Sequence, residues 1–340
     1  MMDSARKETD ELLEELEKRI DKEYSQAVKE VEEKLNKHLE RFTEKDEKKR
    51  AALDAGEITK KEYNDWRSGQ FLAGERWKDM RDTLAEDLTN KQAIAQSITK
   101  GYMPEVYALN HNYVVEKVSD DLDFRITFSL YDKPTVENLM RNGEILQPPG
   151  KTMEAKIARG EAVRWEKGQI QSVTLQSILQ GESIPKMSKR IAQTLGERNK
   201  ANSIRYARTA VTSAENKGML DGMKNLENDG LVLYKQWSAT GDDRTRDSHL
   251  DIDGESVPLD REFSNGLQYP GDPNGDADEV WNCRCSMGTI VIGFARRDGS
   301  ISYVDYDGID TGDAQHDKEI AAEKEKRKAE KERKAKKKNG

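Results

Sequence analysis

A single narrow apolar stripe runs through the first fifty residues and limits what this part of the chain can fold into. Apolar side chains recur at spacings of three and four among charged ones, at Leu12, Leu16, Ile20, Tyr24, Val28, Val31, Leu35, Leu39 and Phe42. This period predicts one α-helix of about 70 Å, at 1.5 Å per residue. Because so thin a stripe cannot form a core alone, the helix needs a partner. The partner is either another helix of the same chain, which we favour, or a second copy in a self-associating coiled coil.

Local signals predict where this helix ends and where more helix follows. Gly56 suits a helix C-terminus, and Thr59 with Glu62 has the spacing of a capping box that starts a short second helix. Residues 75–98 again carry apolar side chains at helical spacing, enough to pack back on the first helix. The N-terminal region is therefore predicted to be an assembly of antiparallel helices.

The pattern changes after Pro104. Phe124, Ile126 and Phe128 alternate with polar residues, which predicts a half-buried strand. Residues 170–195 return to helical spacing, with a break expected near residues 183–185 and a helix end expected at Gly196. Residues 202–225 then place alanines and other small apolar side chains on one face, which predicts a helix that forms a core wall.

The last third of the chain changes to strands and loops. LVLYKQWSA and RCSMGTIVIGF predict two strands, and the segment between them is rich in Gly, Asp and Pro. The predicted fold class is α+β, with long antiparallel N-terminal helices followed by a small, loop-rich α+β domain and a charged tail. The predicted parts are an extended helical arm over 1–105, a linking α/β segment over 106–168, the loop-rich domain over 169–311 and the tail over 312–340.

Charge limits the role of nucleic acid. The net charge is -8, from 57 basic and 65 acidic residues, so the whole chain has no general attraction for DNA. Residues 317–340, however, hold 11 basic and 6 acidic residues, a local charge of +5. The lysines expected to contact DNA phosphates are Lys334, Lys336, Lys337 and Lys338. The chain has no apolar run of the roughly 20 residues that span a bilayer, so we expect a soluble protein with no membrane partner.

The densest polar chemistry lies between Trp237 and Cys285, in WSATGDDRTRDSH, DGESVPLD and NCRC. Taken in order, these segments resemble the phage Mu F-like head-morphogenesis family, whose members are minor head or minor capsid proteins. The likeness covers residues 207–287, with a looser likeness over 101–113. The residues that carry it are Arg208, Trp237, Asp243, Arg244, Thr245, Arg246, His249, Asp253, Gly254, Asn282, Cys283, Arg284 and Cys285. One departure is Ala210, where family members often have an acidic residue after Arg-Thr.

The resemblance implies a function, partners and a location. It implies that the 169–311 domain is a head-morphogenesis domain in a structural, non-enzymatic protein of the procapsid. The partners it implies are the portal protein, capsid and scaffold proteins, and double-stranded DNA bound without sequence preference. The location it implies is the interior of the phage head, with host cytoplasm during assembly.

The same motif leaves three chemical interpretations open. His249, Cys283 and Cys285 have the donor atoms that zinc prefers, and Asp243 or Asp247 could complete a tetrahedral set. Only one residue separates the cysteines, whereas two to four are usual, so we favour no cofactor and a packing role. The functional alternative is an enzyme or toxin-like effector domain that uses His249 with Cys283 or Cys285 as the nucleophile.

Overall fold

The computed structural model describes residues 4–122, 130–141, 156–296 and 298–303, with four isolated positions further on. The strand predicted at Phe124, Ile126 and Phe128 lies outside the described residues. The four lysines predicted to contact DNA also lie outside them: Lys334, Lys336, Lys337 and Lys338. No helix in the described ranges is both long and apolar enough to cross a membrane.

Six helices of nine or more residues precede a small sheet in the described part of the chain, which confirms the predicted α+β class. The helices are α1 (Ser4–Asp54), α2 (Lys60–Phe71), α3 (Glu75–Leu122), α4 (Lys133–Arg141), α5 (Glu161–Leu179) and α6 (Ile184–Asn228). The C-terminal elements are β1 (Leu231–Ser238), α7 (Asp247–Leu250), β2 (Ser256–Pro258), α8 (Ala277–Val280), β3 (Ser286–Ala295) and β4 (Ile301–Tyr303).

The chain divides into two compact units. The helical unit comprises Glu14–Gly101 and Gly150–Ala207, and the sheet unit comprises Met1–Leu13, Tyr102–Pro149 and Arg208–Gly340. Helices α1, α3 and α6 each contribute residues to both units.

In the helical unit, the apolar stripe of α1 is covered by other helices of the same chain. One buried cluster joins α1, α3, α5 and α6 through Leu35, Leu39, Leu84, Leu88, Ile170, Ile178, Ile184 and Ile191, among others. Burial of several large aliphatic side chains contributes on the order of 2 kcal/mol each, far more than helix propensity alone. The favoured intramolecular partner is thus confirmed, and self-association of these helices stays a prediction.

The predicted start of α2 is confirmed atom by atom. The Thr59 hydroxyl accepts a hydrogen bond from the Glu62 amide at 3.2 Å, and the Glu62 carboxylate accepts one from the Thr59 amide at 2.8 Å. Just before it, Gly56 has a φ of +74°, the left-handed conformation that ends a helix at low steric cost. The end of α1 and the start of α2 are therefore set by residues that lie close together in the sequence.

Two predicted helix boundaries are wrong. Helix α3 continues through Pro104 as far as Leu122, because buried residues beyond the proline pack into the core of the sheet unit. Helix α6 continues through Gly196 to Asn228. A Cβ at Gly196 would collide with the side chain of Val28, so this glycine allows close contact with α1 and does not end a helix. The break between α5 and α6 falls at residues 180–183, slightly before the expected residues 183–185, because α6 already begins at Ile184.

The sheet unit contains a four-stranded antiparallel sheet in the order β2-β1-β3-β4. Strands β1 and β3 pair from Leu231 opposite Phe294 to Ser238 opposite Ser286, with a bulge at Val232/Leu233. One core joins this sheet to α3 and α6, with members that include Val114, Val118, Leu220, Met223, Leu233, Trp237 and Val291. Both predicted strands are confirmed, and their paired ends bring the two halves of the motif together.

Candidate functional site

Three buried side chains meet where the pairing of β1 with β3 ends. His249 comes from α7, while Cys283 and Cys285 immediately precede β3. The His249 Nδ1 atom lies 3.4 Å from the Cys285 sulfur and 3.7 Å from the Cys283 sulfur. All three side chains are at most 2% exposed. The structure therefore brings together, as one buried cluster, three residues that the sequence separates by up to 36 positions.

A carboxylate lies on the other side of the imidazole. Oε2 of Glu279, on α8, lies 2.8 Å from the His249 Nε2 atom, and the Ser248 hydroxyl donates to the same carboxylate at 3.0 Å. Because an ionised carboxylate can only accept hydrogen bonds, the Nε2 nitrogen carries the hydrogen. The Nδ1 nitrogen is the ring atom that faces the two sulfurs. Sequence reasoning missed Glu279, because nothing local separates it from the acidic residues around it.

The orientation of the imidazole ring is also set by aromatic packing. The Trp237 ring packs edge-on against His249, with ring centroids 5.0 Å apart and planes at 77°. Phe263 packs on Trp237 in the same way, at 5.1 Å and 79°. Trp237, one of the motif residues named from the sequence, therefore packs directly against the ring of His249.

Helix α6 holds the backbone that carries the cysteines. The Thr212 hydroxyl donates to the Cys283 carbonyl at 2.9 Å, and the Asn216 side chain donates to the Cys285 carbonyl at 3.2 Å. One turn earlier, the Thr209 hydroxyl accepts from the Asn282 amide at 3.1 Å. These α6 residues are three and four positions apart, so they share one helix face.

Asn282 bears a backbone feature that the sequence alone could not reveal. It has a φ of +59°, the left-handed conformation that asparagine tolerates better than most residues. The turn it makes directs the chain from α8 into the Cys283 and Cys285 segment.

Arginines tie the surrounding loops together. Arg284 forms a bidentate pair with Asp242, with N···O distances of 2.5 and 2.6 Å. This contact holds the pKa of Asp242 well below its usual range. Arg246 donates to the Trp281 carbonyl, and the Thr245 hydroxyl donates to Asp242 at 3.0 Å. The aspartate that pairs with Arg284 is therefore Asp242, a residue that the sequence analysis did not select.

The other motif residues lie further from the imidazole. Asp253 accepts a hydrogen bond from the Ala239 amide at 2.8 Å, and Gly254, at a φ of +80°, donates its amide to the Trp237 carbonyl at 3.0 Å. Arg208 is half-buried on α6, and Arg244 is exposed in the loop after β1.

The carboxylate expected to complete a metal site is not in place. Asp243 and Asp247 are exposed, and within the described ranges the converging ligand group holds only His249, Cys283 and Cys285, with donor atoms within 4.8 Å of one another. The prediction of either aspartate as a ligand was wrong, because both side chains face solvent. Beside the cluster is a small pocket whose lining includes Thr240, Arg246 and Asn282 as well as the three donors.

The two thiols differ in acidity. A hydrogen bond from Cys283, with a smaller contribution from His249, lowers the pKa of the Cys285 thiol. The same bond and burial raise the pKa of Cys283. The arrangement therefore favours a thiolate at Cys285, which is the form that binds metals or acts as a nucleophile.

Comparison with known proteins adds a family. Residues 168–288 match the model of the family described as Phage Mu protein F like protein. The chain is 22% identical to Minor head protein GP7 of Bacillus phage SPP1 over 289 residues, which cover 84% of this chain and 85% of that protein. It is also 31% identical over 110 residues to NAD(+)--arginine ADP-ribosyltransferase EFV of Enterococcus faecalis, covering 31% of this chain but 23% of that protein. No solved structure matches the chain significantly.

Proposed function

We propose that the chain is a member of the Phage Mu F-like family, whose model matches residues 168–288, and that it is a minor capsid protein with a structural role in phage head morphogenesis. The observation that carries the proposal is the likeness to the minor head protein over 289 residues. That length exceeds either compact unit, so the likeness extends well beyond the cysteine motif.

The finer parts of the proposal concern partners and place. The protein acts in the head interior, docks on the portal and on capsid or scaffold proteins, and assembles in the host cytoplasm. Its local charge of +5 over residues 317–340 supports non-specific contact with double-stranded DNA, because lysines neutralise phosphates irrespective of sequence.

The test is the presence of the protein in assembled particles. We would produce the full chain with the capsid, scaffold and portal proteins of its own phage, isolate procapsids on a gradient, and measure its copy number by mass spectrometry. A few copies per procapsid are expected, with loss when the portal protein is omitted. Procapsids and virions that contain none would overturn the structural role, and portal-independent incorporation would overturn the docking site.

The alternative is an enzyme or toxin-like effector that uses His249 with Cys283 or Cys285. A thiolate beside an imidazole is an arrangement that nucleophilic catalysis uses, and the partial relative named above is a transferase. Both sulfurs, however, are at most 2% exposed, so a substrate cannot reach them without rearrangement. This burial supports a non-enzymatic role.

Alkylation distinguishes the two functions. In the native full chain, after treatment with a chelator, iodoacetamide should modify both cysteines far more slowly than in the urea-unfolded chain. Rapid modification of one cysteine in the native protein would favour the enzyme, since a catalytic thiolate must be accessible to its substrate.

A further inference from the structure

We propose that His249, Cys283 and Cys285 form a zinc-binding site, with Glu279 positioning the imidazole and a water molecule as the fourth ligand on the side of the adjacent pocket. The site is independent of the head-assembly role, and its purpose is to stabilise the loops that surround it.

The distances between the donor atoms fit a tetrahedral ion. Zinc binds thiolate sulfur at about 2.3 Å and imidazole nitrogen at about 2.0 to 2.1 Å, so tetrahedral angles place sulfur and nitrogen about 3.6 Å apart. The two sulfur to Nδ1 distances in the cluster are 3.4 and 3.7 Å. These distances suit one ion bound by Nδ1 and either sulfur, and all three donor atoms lie within 4.8 Å of one another.

The donor set also favours an ion over simple packing. A neutral imidazole whose Nε2–H faces Glu279 can accept only one strong hydrogen bond at Nδ1, yet two sulfurs converge on that atom. Thiolates with an imidazole select zinc over calcium or magnesium, which prefer oxygen ligands. A single ion uses all three donors at once.

The short spacing of the cysteines is compatible with this geometry. In an extended segment, residues two apart point to the same side. Cys283 and Cys285 both face His249, while the intervening Arg284 reaches Asp242. The single residue between them therefore does not prevent both sulfurs from binding one ion.

The surroundings resemble the outer shell of a metal site. Metal-binding histidines usually donate their other ring N–H to a carboxylate or carbonyl, which fixes the ring. Glu279 has this position at 2.8 Å, and Ser248 in turn donates to Glu279. The carbonyls of both cysteines are held by Thr212 and Asn216 of α6. The ligands are thus held in place by partners from two other elements.

The fourth position is assigned to water because no carboxylate joins the cluster in the described ranges. The three donors line a pocket together with Thr240 and Asn282. A solvent ligand in that pocket has polar groups around it.

The direct test uses the unaltered full chain. After removal of metal with a chelator under reducing conditions, the protein is titrated with ZnCl₂, and separately with CoCl₂ as a spectroscopic probe. One equivalent of zinc should bind and raise the melting temperature. Cobalt should give thiolate charge-transfer absorption in the near ultraviolet and strong visible bands typical of four-coordinate geometry. Absence of binding and of any spectral change would overturn the site.

Variants test which residues bind. Cys283→Ser and Cys285→Ser should each remove the charge-transfer intensity of one thiolate, and Glu279→Gln should weaken zinc binding about tenfold to a hundredfold. Asp278→Asn, an exposed acid on the same short helix, is the control and should leave zinc binding unchanged. Zinc bound equally by the wild type and both serine variants would place the ion elsewhere and overturn the proposal. If a serine variant does not fold, the titration of the unaltered chain still decides the question.

Discussion

Gly222 of α6 lies directly against the main chain of His111 in α3, because a Cβ on Gly222 would be only 2.8 Å from the His111 carbonyl oxygen. One turn earlier, Gly218 faces the Tyr107 carbonyl in the same way. The two glycines are four residues apart, so they share one face of α6. Tyr107 donates to Asp221 at 2.6 Å, and the Asn225 side chain lies 2.9 Å from the His111 ring. The helices of the sheet unit therefore touch at backbone distance.

We expect Gly222→Ala to destabilise the protein by about 1 to 3 kcal/mol. The added methyl must push α3 away, and this outweighs the helix propensity that alanine gains over glycine. The control is Gly101→Ala, since nothing lies within 4 Å of a Cβ there and alanine should gain up to about 1 kcal/mol. Urea unfolding compares the two, and an increase in stability for both variants would contradict the close helix contact.

Glu166 should make the helical unit less stable as pH rises. It is fully buried, and its Oε1 accepts from Gln92 at 2.8 Å and from Asn199 at 3.0 Å. Burial raises its pKa to about 7. The folded chain therefore holds a proton that the unfolded chain releases near pH 4.5. The stabilisation that the protonated Glu166 gives to the fold is complete below that pH and is lost as the pH rises through about 7.

The measurement is the urea midpoint of the wild type and of Glu166→Gln at pH 4.5 and pH 8. From pH 4.5 to pH 8, the free energy of unfolding of the variant should rise by on the order of 2 kcal/mol relative to that of the wild type. Glu161→Gln on the same helix is the control, because the pKa of Glu161 is lowered by the neighbouring Arg159. Its relative change should be small and of opposite sign. Equal pH profiles for wild type and Glu166→Gln would show that this carboxyl is ionised in the fold.

Thr212→Val should loosen the cysteine segment while preserving the shape of the side chain. The valine cannot donate to the Cys283 carbonyl, which would then lose its 2.9 Å hydrogen bond inside the protein. An unsatisfied buried carbonyl costs about 1 to 3 kcal/mol. Thr83→Val, at an exposed position where the hydroxyl bonds only to its own helix, should change the free energy of unfolding by less than about 0.5 kcal/mol. Equal effects of the two substitutions would show that the hydrogen bond from Thr212 to the Cys283 carbonyl does not stabilise the fold.

The tail lysines should account for much of the salt dependence of DNA binding. Changing Lys334, Lys336, Lys337 and Lys338 to Gln in the full chain should lower the slope of log affinity against log salt by about 3 to 4, since each phosphate contact contributes about 0.9. A matched control changes four exposed lysines, which are Lys7, Lys18, Lys48 and Lys186. We would measure binding of a fluorescent duplex across a salt series. Equal slopes for both variants would place the DNA contact outside the tail.

Several features of this protein follow from its sequence alone. The spacing of apolar residues in α1, the capping box of Thr59 with Glu62 and the alternating strands β1 and β3 are local patterns, and the backbone responds to them with little help from distant residues. The motif from Trp237 to Cys285 is also local enough in order and spacing to indicate the family.

The tertiary structure decided what depends on distant partners. Packing keeps α3 helical through Pro104, and it uses Gly196 to bring α6 against Val28, so residues that usually end helices lie inside them. It also recruits Glu279 to the His249 ring and Asp242 to Arg284, while leaving Asp243 and Asp247 in solvent. Neighbouring carboxylates look alike in a sequence, and only the direction that folding gives each side chain determines which one meets a partner.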